Sequence, residues 1–109
     1  MSWREFADML GETVTLEPWQ SQDQWGEPTY AAGRAYPARV EMRSRMIAGR
    51  DGKEVAARGR VFVGMDAVPS VKDRLTLPAA YSPQQPPLLD VAPVRDEAGL
   101  HHVVLWFGG

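Results

Sequence analysis

The sequence contains no cysteine, which excludes disulfides, thiolate nucleophiles and cysteine-ligated metal sites. It also has no apolar run near the roughly 20 residues that a membrane-spanning helix needs. Its first residues lack the basic start, apolar stretch and small-residue cleavage site of a signal peptide. We therefore expect a protein that folds in a cytosol or in a particle assembled there. The 109 residues suffice for a single core, so we expect one domain over residues 1–109.

Signatures of catalysis are equally scarce. The only two histidines, His101 and His102, are neighbours on a predicted strand, so their side chains should point to opposite faces and not share a metal. The segment Gly49–Gly52 lies between predicted strands and lacks the ending of a phosphate-binding loop. We expect no enzymatic activity, no cofactor, no metal and no small-molecule substrate.

Most of the chain instead alternates apolar and polar residues with a period of two, which predicts short β-strands. The predicted strands cover residues 13–17, 29–31, 35–43, 55–65, 74–77, 88–94 and 100–107. Since no crossover helix is available for a parallel sheet, we expect an all-β, mainly antiparallel fold. The specific expectation is a small six- to seven-stranded β-barrel with one long inter-strand loop at residues 44–54.

The first eleven residues follow a different period. Trp3, Phe6 and Leu10 recur at helical spacing behind Ser2, which is a suitable N-cap, and Gly11 is a suitable stop. The sequence therefore predicts a short N-terminal helix arm within residues 1–11. A helix this short needs a surface to dock on, either its own barrel or a neighbouring subunit.

Charge is distributed unevenly along the chain. The net charge is −2, but residues 34–60 carry eight basic and three acidic residues, a local balance of +5. One interpretation is a basic surface that contacts phosphates, and the other is a pair of solvated strands. No aromatic residue accompanies the basic loop, so stacking on bases is not indicated. The candidate phosphate-contacting residues are Arg43, Arg45, Arg50, Lys53 and Arg58.

The last predicted strand, residues 100–107, is apolar on both faces. A strand with one solvent-exposed face should instead alternate apolar and polar residues. Either the N-terminal helix or a partner subunit covers the second face, and the sequence leaves both interpretations open for Trp106. The candidate subunit or partner interface comprises Trp3, Phe6, Leu10, Val103, Leu105, Trp106 and Phe107.

The order of short motifs is distinctive. The chain presents, in sequence, Thr-Val-Thr-Leu at 13–16, Gly-Glu-Pro-Thr-Tyr at 26–30, Gly-Lys-Glu at 52–54, Val-Phe-Val at 61–63, Asp-Arg-Leu-Thr-Leu-Pro at 73–78, Leu-Leu-Asp-Val at 88–91, and an acidic hairpin with Gly99 before His-His-Val-Val-Leu at 101–105. In this order and length, the chain resembles the head-completion (stopper) and head–tail joining proteins of tailed phages with long non-contractile tails.

This resemblance implies a structural virion protein of the phage neck, assembled in the host cytoplasm as a twelve- or six-fold homo-oligomeric ring of small β-barrels. The ring would lie between the portal and adaptor proteins above and the tail terminator or tail tube below, closing the DNA-filled head and docking the tail. The resemblance also implies that loop 44–54 points into the channel, where its basic residues contact packaged double-stranded DNA non-specifically. No membrane is implied. Two alternatives stay open, a tail terminator or tail completion ring and an OB-like nucleic-acid-binding barrel.

Overall fold

The computed structural model describes residues 11–48 and 51–109 of the chain. The predicted helix arm therefore lies outside the described residues except for Gly11, and so do Trp3, Phe6, Leu10 and Arg50. Within the described ranges there is no helix, hence none long and apolar enough to cross a bilayer. The strands are β1 (Glu12–Glu17), β2 (Trp19–Gln22), β3 (Pro28–Tyr30), β4 (Arg34–Ala48), β5 (Glu54–Val63), β6 (Arg74–Thr76), β7 (Leu88–Asp96) and β8 (Gly99–Phe107).

Six of these strands form one antiparallel sheet in the order β6-β1-β4-β5-β8-β7, and β2 pairs with β3 in a separate two-stranded sheet. The all-β, mainly antiparallel fold is confirmed. The strand β2 was not predicted, because its sequence Trp-Gln-Ser-Gln has no apolar alternation.

The prediction of a closed barrel is wrong. The six-stranded sheet is open and curled into a half-barrel, with β6 and β7 at its two edges. Closure would require these edges to pair, but β6 has only three residues and leads into segment 77–87, which contains four prolines. Proline has no N–H to donate to a strand ladder. Leu77 of this segment is part of the core instead, and Tyr81 packs against it.

The main core lies on the concave face of the curled sheet. The inward positions of β1 and β5 are the alternate residues that the two-residue period predicted, such as Val14 and Leu16 in β1. These side chains have almost no contact with solvent, so they supply most of the apolar burial that stabilises the domain. The core comprises Val14, Leu16, Ala38, Val40, Val61, Val63, Met65, Leu75, Leu77, Val103, Leu105 and Phe107.

A second, smaller apolar cluster lies apart from the main core and accounts for the doubly apolar last strand. Val104 and Trp106 of β8 are 9% and 8% exposed, and together with Ala57 they contact Ile47 and Phe62. Val103, Leu105, Trp106 and Phe107 were candidate interface residues, and the structure places all four in the interior of the chain itself. Their apolar character is therefore explained by folding of the single subunit.

The predicted long loop 44–54 is mostly strand. β4 continues to Ala48 and pairs with β5 from Arg45↔Ala57 to Ala48↔Glu54. Among the described residues of this segment, only 51–53 lie outside a strand. Alternation was hard to see here because most residues of this two-stranded ribbon are exposed, and Ala57 and Ile47 contribute only to the small second cluster.

Candidate functional site

The distal halves of β4 and β5 form a two-stranded arm, which we define as residues 42–58. In the described part of the chain, β1 pairs with β4 only as far as Ala38, and β8 pairs with β5 only from Gly59 onward. Beyond these points the two strands pair in the ladder only with each other, as far as the described residues show. At about 3.3 Å per residue, the seven arm residues of β4 project roughly 20 Å past the sheet. The arm includes segment 44–54, which the family resemblance implies contacts DNA.

A β-bulge marks the base of the arm. Met42 pairs with Gly59, but the next pair is Arg45 with Ala57, so β4 carries one more residue than β5 across this step. A bulge bends the strand and increases its twist, and it re-aims the side chains that follow. Just below the bulge, the Arg60 guanidinium donates two hydrogen bonds to Glu41 Oε1, at 3.1 and 2.9 Å. The arm therefore emerges from a point that is held by a charged pair.

The structure places four of the five predicted basic residues on the arm. Arg43 is exposed, and its Nη1 lies 3.8 Å from Glu41 Oε1, which is closer to Arg60. Lys53 is exposed in the connection, where its backbone N–H donates to the Asp51 carboxylate at 3.0 Å. The side chains of Arg43 and Lys53 are thus available to an anionic partner in solvent.

Arg45 and Arg58 have different surroundings. Both line a shallow groove of about 350 Å³ on the arm, together with Ser44, Met46, Ala56 and Ala57. The Arg45 guanidinium carbon also lies 5.5 Å from the centre of the Trp106 ring, within the range of a cation–π contact. All four of these basic residues are exposed, and two of them, Arg45 and Arg58, also line the groove.

The two histidines do not behave as a regular strand predicts. Nδ1 of His101 and Nδ1 of His102 are 2.7 Å apart, so one ring donates a hydrogen bond to the other. The cause is a bulge, because Val94 pairs with His102 but Arg95 pairs with Leu100, leaving His101 as an extra residue. Burial, and next the charge of His101, lower the pKa of His102. Among the described residues, no group of three metal-ligating side chains is found.

The sequence analysis did not name the turn at residues 23–27, which connects β2 and β3, as a candidate functional site. Trp25 at this turn is 79% exposed, whereas Trp19 and Tyr30 at the base of the two strands are partly covered. That base is fixed by cations on aromatic rings, with Lys72 Nζ 4.5 Å from the Trp19 ring centre and the Arg74 guanidinium 4.4 Å from the Tyr30 ring centre. The available signal was Asp-Gln-Trp-Gly-Glu, an Asx-turn sequence that carries a large aromatic residue.

The arm and the Trp25 turn adjoin opposite ends of β4. β1 ends at Glu17 beside Arg34, the first residue of β4, and β2 follows after Pro18. The arm is formed by the other end of β4.

Comparison of the chain with protein-family models and with curated proteins gives no match, so a functional assignment depends on these local features.

Proposed function

We propose that this protein is a non-enzymatic structural component of a tailed-phage neck, which forms a ring between the portal or adaptor and the tail. The observation that carries the proposal is the basic arm, which extends past the sheet and exposes Arg43 and Lys53. A ring places one arm per subunit around a central channel. The repeated arms would retain the end of the packaged DNA, and the body of the subunit would support tail docking.

The chemistry of the arm suits contact with phosphates and not the reading of bases. Lysine and arginine neutralise phosphates without regard to sequence, which is the requirement for holding any genome end. The described arm residues include no aromatic side chain on which bases could stack. A modest positive charge on each subunit becomes a strong field when it is repeated around a closed ring.

The open sheet bears on the alternatives. An OB-like nucleic-acid-binding module is a five-stranded, partly open barrel that binds on a strand face and its adjoining loops, whereas the sheet here has six strands and its basic residues lie on a projecting arm. The proposed ring does not depend on closure, since it needs only a compact body and a projecting arm. A tail terminator ring has the same requirements, so the two hypotheses are distinguished by where the protein is located in the particle.

The DNA-retention role is tested by removing the two exposed arm cations that do not line the groove. Particles assembled with the Arg43→Ala/Lys53→Ala variant should contain folded protein but lose DNA, measured as the fraction of the genome accessible to nuclease. The matched control is Arg34→Ala/Arg95→Ala, which removes two exposed cations away from the arm. Full DNA retention by the arm variant, equal to the control, would contradict the channel role.

Location is tested by immunogold electron microscopy on intact and on disrupted particles. Label confined to the junction of head and tail is the expected result. Label that stays with isolated tails would favour the terminator ring, and absence of label from disrupted particles would refute the virion assignment.

A further inference from the structure

Trp25 is the most exposed large apolar side chain among the described residues. Tryptophan is enriched at the energetic centres of protein interfaces, because one buried indole removes a large apolar area from water. Here it stands on a turn whose neighbours are all exposed, so nothing in the turn shields it. The position of Trp25 is therefore typical of a residue that anchors a protein–protein contact.

The turn that carries Trp25 is preorganised. The Asp23 carboxylate oxygen Oδ1 accepts hydrogen bonds from the backbone N–H groups of Trp25, at 2.8 Å, and of Glu27, at 2.9 Å. The Asp23 main chain makes two more bonds, accepting from Gly26 N at 3.0 Å and donating to Glu27 O at 2.8 Å. Gly26 has a φ of 81°, a conformation that glycine adopts without strain. A turn fixed in this way loses little conformational entropy when it binds.

The groove on the arm has matching chemistry. Its volume of about 350 Å³ is at the lower end of the roughly 300–1,000 Å³ of small-molecule sites, a size suited to a single aromatic side chain. Met46 and Ala56, both exposed, provide apolar contacts, and the exposed Arg58 guanidinium can lie over an indole face.

The two surfaces are also complementary in charge. The segment from Pro18 to Gly33, which contains the turn, has two charged residues, Asp23 and Glu27, and both are acidic. The groove has two charged residues, Arg45 and Arg58, and both are basic.

The turn and the groove of one molecule are separated along β4. The β2–β3 pair that carries the turn precedes the first residue of β4, and the groove is formed at the far end of this 15-residue strand. We propose that the Trp25 turn of one copy docks in the arm groove of the next copy, with Glu27 beside Arg58. Such a contact is heterologous, because two different patches meet, and repetition of it produces a closed ring or a filament. The inference deepens the proposed function, on which it rests for its biological setting, since it supplies the contact between ring subunits.

The first experiment is sedimentation velocity of the full chain over a range of concentrations. The wild-type chain should form species larger than a dimer, and Trp25→Ala should weaken association roughly 30-fold or more, as expected for a central interface tryptophan. The control is Val68→Ala, which shortens another exposed apolar side chain, 45% exposed, outside both surfaces. A wild-type chain that stays monomeric throughout, or a Trp25→Ala chain that associates like wild type, overturns the proposal.

The decisive experiment mixes two defective variants. Trp25→Ala retains an intact groove, and Ala56→Tyr fills the groove at an exposed position while the turn stays intact. Each variant alone should be monomeric, and an equimolar mixture should give a one-to-one dimer that cannot extend. If the mixture stays monomeric, the turn and the groove are not partners.

Charge exchange tests the orientation of the contact. Glu27→Arg and Arg58→Glu should each weaken association, and the double variant should regain most of the loss. Failure of the double variant to recover association contradicts the pairing of these two residues.

All of these measurements use purified chain without DNA and leave Arg43 and Lys53 unchanged. If the purified chain assembles as described but particles with the Arg43→Ala/Lys53→Ala variant retain their DNA, only the proposed function is contradicted. If the protein is located in the neck but its Trp25→Ala variant still assembles, only this inference is contradicted.

Discussion

At the scale of single residues, Trp106 shows how burial decides a role that the sequence left open. Its indole is 8% exposed in the chain, and the guanidinium carbons of Arg45 and Arg60 lie 5.5 and 5.4 Å from its ring centre. Trp106→Ala should lower the free energy of unfolding by about 3–5 kcal/mol, because a large buried side chain is replaced by a cavity. Urea denaturation of the purified variant measures this change.

The control for Trp106 is Val94→Ala, which shortens a side chain that is 39% exposed on the neighbouring strand β7. This control should change the free energy of unfolding by a small fraction of that amount. A near-neutral effect of Trp106→Ala on unfolding would show that the indole contributes elsewhere than in the folded subunit.

His102 provides a pH-dependent contribution to stability. Because burial and His101 lower its pKa below the usual 6.5, the folded protein binds this proton more weakly than the unfolded chain does. The contribution is therefore present above pH 6.5 and is lost as the pH falls through the folded pKa. Urea denaturation at pH 7.5 and 5.5 should show a loss of stability in wild type that is smaller in His102→Gln. An equal loss in both proteins would assign the effect to other groups.

A carboxylate provides a separate contribution at lower pH. The hydrogen bonds from Arg74, at 2.8 and 2.7 Å, lower the pKa of Glu17 below its usual 4.5. Its stabilising effect is present above pH 4.5 and is lost as the pH falls through the folded pKa. This range lies below that of His102, so the two effects can be measured separately.

At the scale of elements, the arm depends on close packing at its base. A Cβ on Gly59 would lie 2.7 Å from the carbonyl oxygen of Glu41 and 2.7 Å from Cζ of Phe107, so three strands approach one another too closely for any side chain. Gly59→Ala should therefore cost about 1–3 kcal/mol of stability through overpacking. Thermal or urea unfolding of the variant measures this cost.

The control for this prediction is Gly11→Ala, where an added Cβ has no neighbour within 4 Å among the residues that the structure describes. That change should be neutral or slightly stabilising, because alanine reduces the freedom of the unfolded chain. If the two variants unfold alike, the close contact at Gly59 does not limit the packing of the arm base.

The elements also show which sequence signals are reliable. The alternation in β1 and β5 predicted the inward residues because each of these strands has one face on the core and needs apolar side chains there only. β2 lacks this signal, since three of its four residues are exposed. The arm shows it only weakly, because most of its residues are exposed and the covered ones, Ala57 and Ile47, belong to the small second cluster. β2 was therefore not predicted, and part of the arm was predicted as a loop.

At the scale of the whole molecule, β4 connects the two surfaces on which the proposals depend. Its first residue lies near the β2–β3 sheet and its last residue lies in the arm, so one continuous strand sets the distance between the Trp25 turn and the groove. A heterologous contact between surfaces fixed at opposite ends leads to assembly in one direction. DNA retention and subunit association are consequently separable, since Arg43 and Lys53 do not line the groove.

The sequence by itself determined the strand-rich class, the antiparallel arrangement, most strand positions and the basic character of residues 34–60, because these follow from local periodicity and composition. Tertiary structure decided the rest. The half-barrel is open because a proline-rich segment follows a three-residue edge strand, and Trp106 is interior because β5, β7 and the arm surround it. The bulges at Arg43–Ser44 and His101 re-aim side chains by a single residue, and no local pattern shows where a ladder will slip. The exposure of Trp25 likewise depends on what the remainder of the chain leaves uncovered, which is a property of the fold and not of the turn.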